Sequence, residues 1–159
     1  MARSGFFFCT RELHTIKKID LVDITTEVQK AVTESRMHHG RVFIDALHTT
    51  AAICLQEHEG GLIHDMRQAF RLLKTSVSSV GAFLHDKSHA HGSANAVAHL
   101  MAMVYGSTIS LSIVDGKLML GRYQKIFFVE FDGPRPRPSD GREDFPPRQF
   151  AVTIMTALQ

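Results

Sequence analysis

The stretch TISLSIVDGKLML, residues 108–120, decides how this chain folds. Its first half alternates apolar and polar residues, which is the period of a half-buried β-strand. Asp115 and Gly116 then separate it from a second apolar run, and this dipeptide between two such runs is the strongest short-range signal for a β-hairpin. We therefore expect residues 117–120 to pair back antiparallel onto the strand before the turn.

Strand patterns continue on both sides of this hairpin. They comprise two runs rich in strand formers, 6–11 and 14–24, and four further runs, 41–48, 51–56, 124–132 and 150–155. In the run 41–48, His48 shares a face with apolar residues. Because strands dominate and hairpins join several of them, the pattern favours antiparallel sheets over a parallel, doubly wound core.

Helices are predicted in the first two-thirds of the chain. Thr25 or Thr26 can cap a helix to about Ser35, and apolar residues at helical spacing predict a second helix around 62–73. Ser93 can cap a third helix, whose apolar stripe consists of Val97, Leu100, Met101 and Val104. The predicted class is α+β, with an antiparallel β-sandwich-like core and two to three inserted helices.

Two segments are predicted to be loops within a single domain of residues 1–159. Residues 76–93 are rich in Ser, Gly and His, and a loop of this length is more often functional than idle. All five prolines fall between Pro134 and Pro147, among mixed charges. Residues 136–148 are therefore predicted to form a Pro- and Arg-rich surface loop.

Composition excludes several classes of protein. The net charge of +2, from 18 basic and 16 acidic residues without a basic stripe, argues against binding to nucleic acid. No apolar run approaches the ~18 residues that span a bilayer, so we expect no membrane partner and a cytoplasmic protein. Cys9 and Cys54 lie in apolar, strand-like stretches and are expected to be reduced core residues. The 10 histidines raise the expectation of metal or acid–base chemistry.

Three segments could carry that chemistry. They are His48-Thr49-Thr50-Ala51 at a strand end, the His-rich loop 85–91, and Asn95 with His99 on a helix. A lone histidine is more often a hydrogen-bonded structural or surface residue than a ligand, so each segment is weak evidence alone. The sequence contains no H-E-x-x-H, paired C-x-x-C, G-x-x-x-x-G-K-[ST] or G-x-S-x-G motif.

The order of these segments carries a resemblance to a known family. The matching motifs are Asp23-Ile24-Thr25, His48-Thr49-Thr50-Ala51-Ala52, Glu57, Gly61-Leu62 with Asp65, His85, Asn95 with Ala98-His99-Leu100, Gly106, Asp115-Gly116-Lys117-Leu118, Leu120-Gly121 with Gln124, and Glu130-Phe131-Asp132-Gly133-Pro134-Arg135. In this order, over about residues 6–135, the chain resembles the YjbQ-like family.

The resemblance implies a sandwich-like fold of antiparallel strands, assembled as a homotrimer with sites near subunit contacts. It also implies a divalent metal, for which zinc is the leading candidate, with His48, His85 and His99 as ligands. Three imidazoles and a water are the ligand set of an open catalytic zinc site. The other implied site residues are catalytic Glu57, Asp65, Asn95 and Gln124, and substrate-binding Thr49 and Arg135.

Some alternatives stay open at this point. Imidazoles suit several transition metals besides zinc, and His89 or His91 could replace or join the three ligands. Asp65 either pairs with a basic residue or orients a ligand histidine. Departures from the family pattern at Gln56, His58, Ser112 and Tyr123 bear on ligand preference more than on fold.

The function that the resemblance implies is that of a metal-dependent enzyme acting on phosphorylated small molecules. It is similar to secondary thiamine-phosphate synthases, which join a pyrimidine diphosphate to a thiazole phosphate and release pyrophosphate. "Secondary" signals that this reaction can be a side activity. The alternative is a metal- or anion-binding module without turnover, which a fourth protein ligand closing the site would favour.

Overall fold

The structure, a computed structural model, describes residues 5–81, 83–88, 94–134 and 146–156. In these ranges the chain forms eight strands and four helices, and the α+β class is confirmed. In chain order the elements are β1 Phe6–Leu13, β2 Asp20–Asp23, α1 Thr25–Ser35, β3 Gly40–Ala46, β4 Ala51–Glu57, α2 Gly60–Ser78, α3 Leu84–Ser88, α4 Ala96–Tyr105, β5 Thr108–Val114, β6 Lys117–Leu118, β7 Gln124–Glu130 and β8 Arg148–Met155.

The strands form two antiparallel sheets that pack face to face. One sheet has the order β1-β8-β3-β5-β6 and the other has the order β2-β7-β4. Both sheets contribute to one apolar core, to which α1 adds Val28, Ala31 and Val32. Helices α2 and α4 cover the other face of the three-stranded sheet around a second apolar cluster. Strand β7 is therefore buried on both faces, with alternate residues in the two clusters.

The predicted hairpin is present. Asp115 has a φ of 51° and Gly116 a φ of 73°, and two positive φ values at the turn are what a type I′ hairpin requires. The returning strand β6 is two residues long, shorter than the predicted 117–120. It ends early because the Leu120 amide donates to the Leu118 carbonyl at 3.1 Å, a tight turn that leads the chain away from β5.

Two strands are shorter than the sequence predicted. The segment 14–24 is extended only over β2, because Asp20 accepts a hydrogen bond from the Ile16 amide at 3.0 Å and bends the chain before the strand. The run 41–48 ends at Ala46, so His48 lies exposed in the connection to β4 and not on a strand face.

The prediction of a loop over residues 76–93 was wrong for residues 76–78 and 84–88, which are helical, whereas residues 79–81 and 83 lie between the two helices. Helix α2 continues to Ser78, and the short helix α3 follows, which makes four helices instead of two to three. The hydroxyl groups of Thr75 and Ser79 donate to helix carbonyls three or four residues earlier, so these polar residues extend the helix without breaking it. Residues 82 and 89–93 lie outside the described ranges.

Helix α4 is rotated relative to its predicted apolar stripe. Its buried residues are Ala96, Val97, Ala98, Met101 and Ala102, whereas Val104 is 77% exposed. The alanines are small enough for the helix backbone to lie close to β4. His99, next to Ala98, is therefore half-buried at the edge of this contact.

The predicted loop 136–148 falls mostly on residues 135–145, which the structure does not describe. Its last residue departs from the prediction, because Arg148 begins β8 and is 3% exposed. A buried carboxylate holds it there, as described below. No helix in the described ranges is long and apolar enough to cross a membrane.

Candidate functional site

A cavity of about 400 Å³ brings together two of the predicted histidines. His48 and Thr49 enter it from the connection between β3 and β4, and His99 enters it from α4, which packs on β4. The remaining lining residues are Ala46, Leu47, Ala51, Ala102, Met103 and Ser107. Most of the lining is apolar, so the two imidazoles are among its few polar groups.

His85 lies on the other side of His99. The two ring centroids are 4.9 Å apart and the rings meet edge to face. Both histidines line a second cavity of about 290 Å³ together with Phe83, Leu84, Ala96 and Leu100. His99 is thus shared by the two cavities and stands between the other two histidines.

A hydrogen-bonded series fixes the orientation of His85. Its Nε2 lies 3.1 Å from Oδ1 of Asn95, and the Asn95 Nδ2 donates to Oδ2 of Asp132, also at 3.1 Å. A carboxylate only accepts, so Asp132 determines which way the Asn95 amide faces. Asn95 Oδ1 is then the acceptor and His85 Nε2 the donor. A neutral His85 therefore carries its lone pair on Nδ1.

The same region contains a buried ion pair. Arg148 Nε donates to Glu130 Oε2 at 2.5 Å and Nη2 donates to Oε1 at 2.9 Å, with Glu130 0% and Arg148 3% exposed. Glu130 Oε1 also accepts the backbone N–H of Asp132 at 2.8 Å. The pair therefore connects the last described strand to the segment that orients Asn95.

From Arg148 the hydrogen bonds continue to His48. Nη2 donates to the Thr50 hydroxyl oxygen at 3.1 Å. The backbone N–H and the hydroxyl of Thr50 lie 3.2 Å and 2.9 Å from Nδ1 of His48. One network therefore links the two outer histidines, and in order it comprises His48, Thr50, Arg148, Glu130, Asp132, Asn95 and His85.

Positive charge lies close to the Asp132 end of this network. Partial burial lowers the pKa of Lys74 on α2, the charge of Lys18 lowers it further, and Asp132 and Asp86 act in the opposite direction. The four side chains are therefore near enough to influence one another. Because the two carboxylates balance the two lysines, these four side chains together carry no excess of positive charge.

Other predicted site residues lie elsewhere in the chain. Glu57 and Gln124 face each other across β4 and β7, and Glu57 is six residues, about 20 Å, along β4 from Ala51. Asp65 is exposed on α2 and does not line either histidine cavity. Arg135, His89 and His91 lie outside the described residues. The carboxylates that do reach the histidine network are Glu130 and Asp132.

Sequence reasoning missed Arg148 because it fell at the end of the Pro- and Arg-rich stretch. One signal could have identified it: Arg148 is in phase with Phe150, Val152 and Ile154, which form the buried face of the closing strand. A charged residue on that face requires a buried partner.

The side chains around the histidines do not form a complete metal site within the part of the chain that the structure describes. Within the described ranges, no group of three or more His, Cys, Asp or Glu side chains could hold a metal ion. His85 has the orientation of a ligand, because metal-bound imidazoles donate their other N–H to a nearby acceptor. His48 does not, because its Nδ1 accepts from Thr50. The convergence of all three imidazoles on one metal is the expectation from the family resemblance, and the orientation of His48 argues against its taking part.

Comparison with known proteins gives the family. The model of the family described as "UPF0047 protein YjbQ-like" matches residues 10–157. The chain is a member of the YjbQ family. A UPF0047 protein of Archaeoglobus fulgidus is 38% identical to this YjbQ-family chain over 125 residues, 79% of the chain and 91% of the relative. UPF0047 protein YugU of Bacillus subtilis is 32% identical over 80% of the chain and 92% of its own length.

Solved structures of the YjbQ family share the fold. A protein of unknown function from Sulfolobus solfataricus superposes with a TM-score of 0.81 at 30% identity, covering 98% of this chain and all of its own. A YjbQ/UPF0047 family protein from Clostridium acetobutylicum gives a TM-score of 0.72 at 33% identity, over 92% and 98% of the two chains. These likenesses establish family and fold.

Proposed function

We propose that this YjbQ-family chain is an enzyme that acts on a phosphorylated small molecule in the cavity lined by His48 and His99. The observation that carries the proposal is the network that runs through the buried Arg148–Glu130 pair and orients the imidazoles on either side of His99. Burying an ion pair costs desolvation energy and is weak support for stability. Holding side chains in one orientation is what a catalytic site requires.

The groups that line the cavity support a phosphorylated substrate. The imidazoles of His48 and His99 can donate hydrogen bonds to an anion, and the cavity itself is mostly apolar. A substrate with an apolar ring and a phosphate or diphosphate group matches this combination. Arg135 follows directly after the described segment that ends at Pro134, and we propose it as a further phosphate ligand.

We propose transfer chemistry of the thiamine-phosphate synthase type, in which a pyrimidine diphosphate joins a thiazole phosphate. The bond from the pyrimidine methylene carbon to the diphosphate oxygen breaks, and the thiazole nitrogen forms a bond to that carbon. Pyrophosphate leaves with the electron pair. Imidazole N–H groups at the cavity stabilise the negative charge that develops on it.

The histidines fit a resident divalent metal in part. His85 and His99 lie in contact, and His85 presents its Nδ1 lone pair while Asn95 accepts from its Nε2. We propose these two residues as protein ligands, with zinc as the metal because imidazole suits it. When bound, such a metal supplies a Lewis acid for phosphate oxygens.

We also propose that the chain assembles as a homotrimer. Four large apolar side chains on α2 and α4 are 44–77% exposed: Leu72, Leu73, Met103 and Val104. Met103 also lines the cavity with His48 and His99, so a partner that covers this face would close the cavity. Light scattering at micromolar concentration tests the assembly, and a monomer would contradict it.

The enzymatic proposal is tested by metal analysis and by assay with phosphorylated thiamine precursors, with and without a chelator. His85→Ala and His99→Ala should each lower turnover at least about 100-fold. His64→Ala, which changes an exposed histidine on α2, is the matched control and should behave like the wild type. Binding of metal or phosphate without turnover of any precursor would overturn the proposal in favour of a binding module.

A further inference from the structure

We propose that Thr50 and Arg148 hold His48 with its proton on Nε2, so that His48 donates a hydrogen bond to a substrate phosphate oxygen and does not bind the metal. The tautomer follows from hydrogen bonds within the chain. The role toward phosphate rests on the proposed function. Arg148 is in this view a positioning residue that acts on the site through Thr50.

The backbone of Thr50 determines which nitrogen of His48 carries the proton. A peptide N–H can only donate, and that of Thr50 points at Nδ1 of His48 over 3.2 Å. A neutral imidazole has one donor and one acceptor nitrogen, so Nδ1 is the acceptor and Nε2 carries the hydrogen. Thr50 is 0% exposed, and turning the ring over would leave its buried amide facing a C–H group.

Arg148 makes the Thr50 hydroxyl a second donor to Nδ1 of His48. A guanidinium has no acceptor, so the hydroxyl oxygen must accept the bond from Arg148 Nη2 at 3.1 Å. The hydroxyl hydrogen then remains for Nδ1 of His48 at 2.9 Å. The bidentate pair with Glu130 holds the guanidinium in place. Two donors thus meet at one ring nitrogen.

His48 and His85 therefore share the Nε2–H form, but the network holds His48 at Nδ1 and His85 at Nε2. His85 gives its Nε2 hydrogen to the Asn95 carbonyl oxygen, which is the arrangement of a metal-bound imidazole. His48 receives hydrogens from Thr50, which leaves an N–H on the other side of its ring. An imidazole N–H at a cavity can donate to an anionic oxygen, whereas a metal requires a lone pair.

The decisive experiment is nuclear magnetic resonance of the full chain with ¹⁵N-labelled histidine at about pH 8, where imidazoles of ordinary pKa are neutral. Two-bond couplings between nitrogen and ring hydrogens distinguish the tautomers, and His48→Gln identifies the His48 signals by their loss. We expect the Nε2–H form for His48. A predominant Nδ1–H form would overturn the inference.

Zinc titration gives a second readout on the same protein. His85→Gln should weaken zinc binding at least about 100-fold, while His48→Gln should change it less than about threefold. Equal losses for the two variants would overturn the inference. Thr50→Ser keeps both donors and should keep the tautomer. Thr50→Val keeps the backbone N–H and removes only the hydroxyl donor, so it should weaken the preference for the Nε2–H form without reversing it and lower kcat with little change in zinc affinity.

The two proposals fail in distinguishable ways. If no phosphorylated substrate is turned over but His48 is in the Nε2–H form, the proposed function fails and the tautomer assignment stands. If substrate is turned over and His48 is in the Nδ1–H form, the inference on Thr50 and Arg148 fails alone. His48 is an exposed residue, so His48→Gln, which identifies its signals, should fold like the wild type.

Discussion

Replacement of Arg148 by methionine should be among the most destabilising single changes in the chain. The guanidinium is the countercharge of Glu130, a carboxylate that is 0% exposed, and it donates two hydrogen bonds to it and one to Thr50. Methionine fills a similar volume and supplies none of these donors. Glu130 would then be a buried charge without a countercharge, and among the residues that the structure describes only the backbone N–H of Asp132 would still donate to it.

The expected loss of stability is found by removing first one partner of the ion pair and then both. Removing one partner of a buried ion pair costs about 3–5 kcal/mol, a large share of the roughly 5–15 kcal/mol that stabilises an ordinary domain. Replacing Glu130 by methionine as well removes the stranded charge. What then remains is the Asp132 amide, which loses its acceptor at a cost of about 1–3 kcal/mol. The double variant should therefore be more stable than Arg148→Met alone.

Urea unfolding at one fixed protein concentration measures both variants, because an oligomer would make stability depend on concentration. The matched control is Arg11→Met, which breaks a surface pair with Glu34 in which the side chains are 26% and 53% exposed, and which should cost at most about 1 kcal/mol. If Arg148→Met were no more destabilising than Arg11→Met, the buried pair would not have the role argued for it.

Three further outcomes are expected. Phe70 is the buried residue of α2, and its ring centroid lies 5.1 Å from that of Tyr105 and 5.5 Å from that of Phe131. Phe70→Ala should therefore lower the free energy of unfolding in urea by about 3–5 kcal/mol, and a decrease under about 1 kcal/mol would be contrary evidence. Gly106→Ala forces φ 80°, ψ 150° on an alanine and should cost about 1–3 kcal/mol by thermal unfolding, with Gly60→Ala as a control expected to be neutral. Burial alone would raise the pKa of Asp23, but hydrogen bonds from Thr25 and His58 outweigh it and lower the pKa. The stability from Asp23 is thus present above its ordinary pKa and is lost as pH falls through the lowered one. Asp23→Asn should therefore be destabilising near pH 7, and its difference from the wild type should shrink as the pH falls into the acid range; a difference that does not change with pH would refute this.

The parts of the fold that the sequence predicted are those with local causes. The Asp115-Gly116 turn and the helical spacing of apolar residues in α1 each depend on residues within a few positions of one another, and both are present. The predicted threonine cap of α1 was wrong, because Ile24 is the N-cap and no side chain caps the helix. Helix α4 was placed correctly but rotated, because Ala98 and Ala102 carry little hydrophobic signal although they are buried. The prediction counted Val104 in the apolar stripe of α4, although this residue is exposed, and therefore placed the buried face on the wrong side of the helix.

The candidate site was harder to predict from the sequence, because the residues in contact there are distant from one another in the chain. The motif order pointed to His48, His85, Asn95 and His99, and the structure places them around two adjoining cavities. Nothing local indicates that Arg148 meets Glu130 or that Asp132 orients Asn95. Glu57 and Gln124 matched the family motifs equally well but lie at the far end of β4 and β7.

The position of β8 between β1 and β3 has a consequence for how the chain is made. Strand β1 is synthesised first, yet the neighbour with which it pairs over eight residues is encoded at 148–155. A growing chain can close the sheet β2-β7-β4 once residue 130 has emerged, while β1 still lacks its neighbour. Arg148 arrives with β8, so the histidine network is completed in the same event that joins β1 to β3. A ribosome-bound chain that ends before residue 148 should therefore contain one finished sheet and an unassembled site.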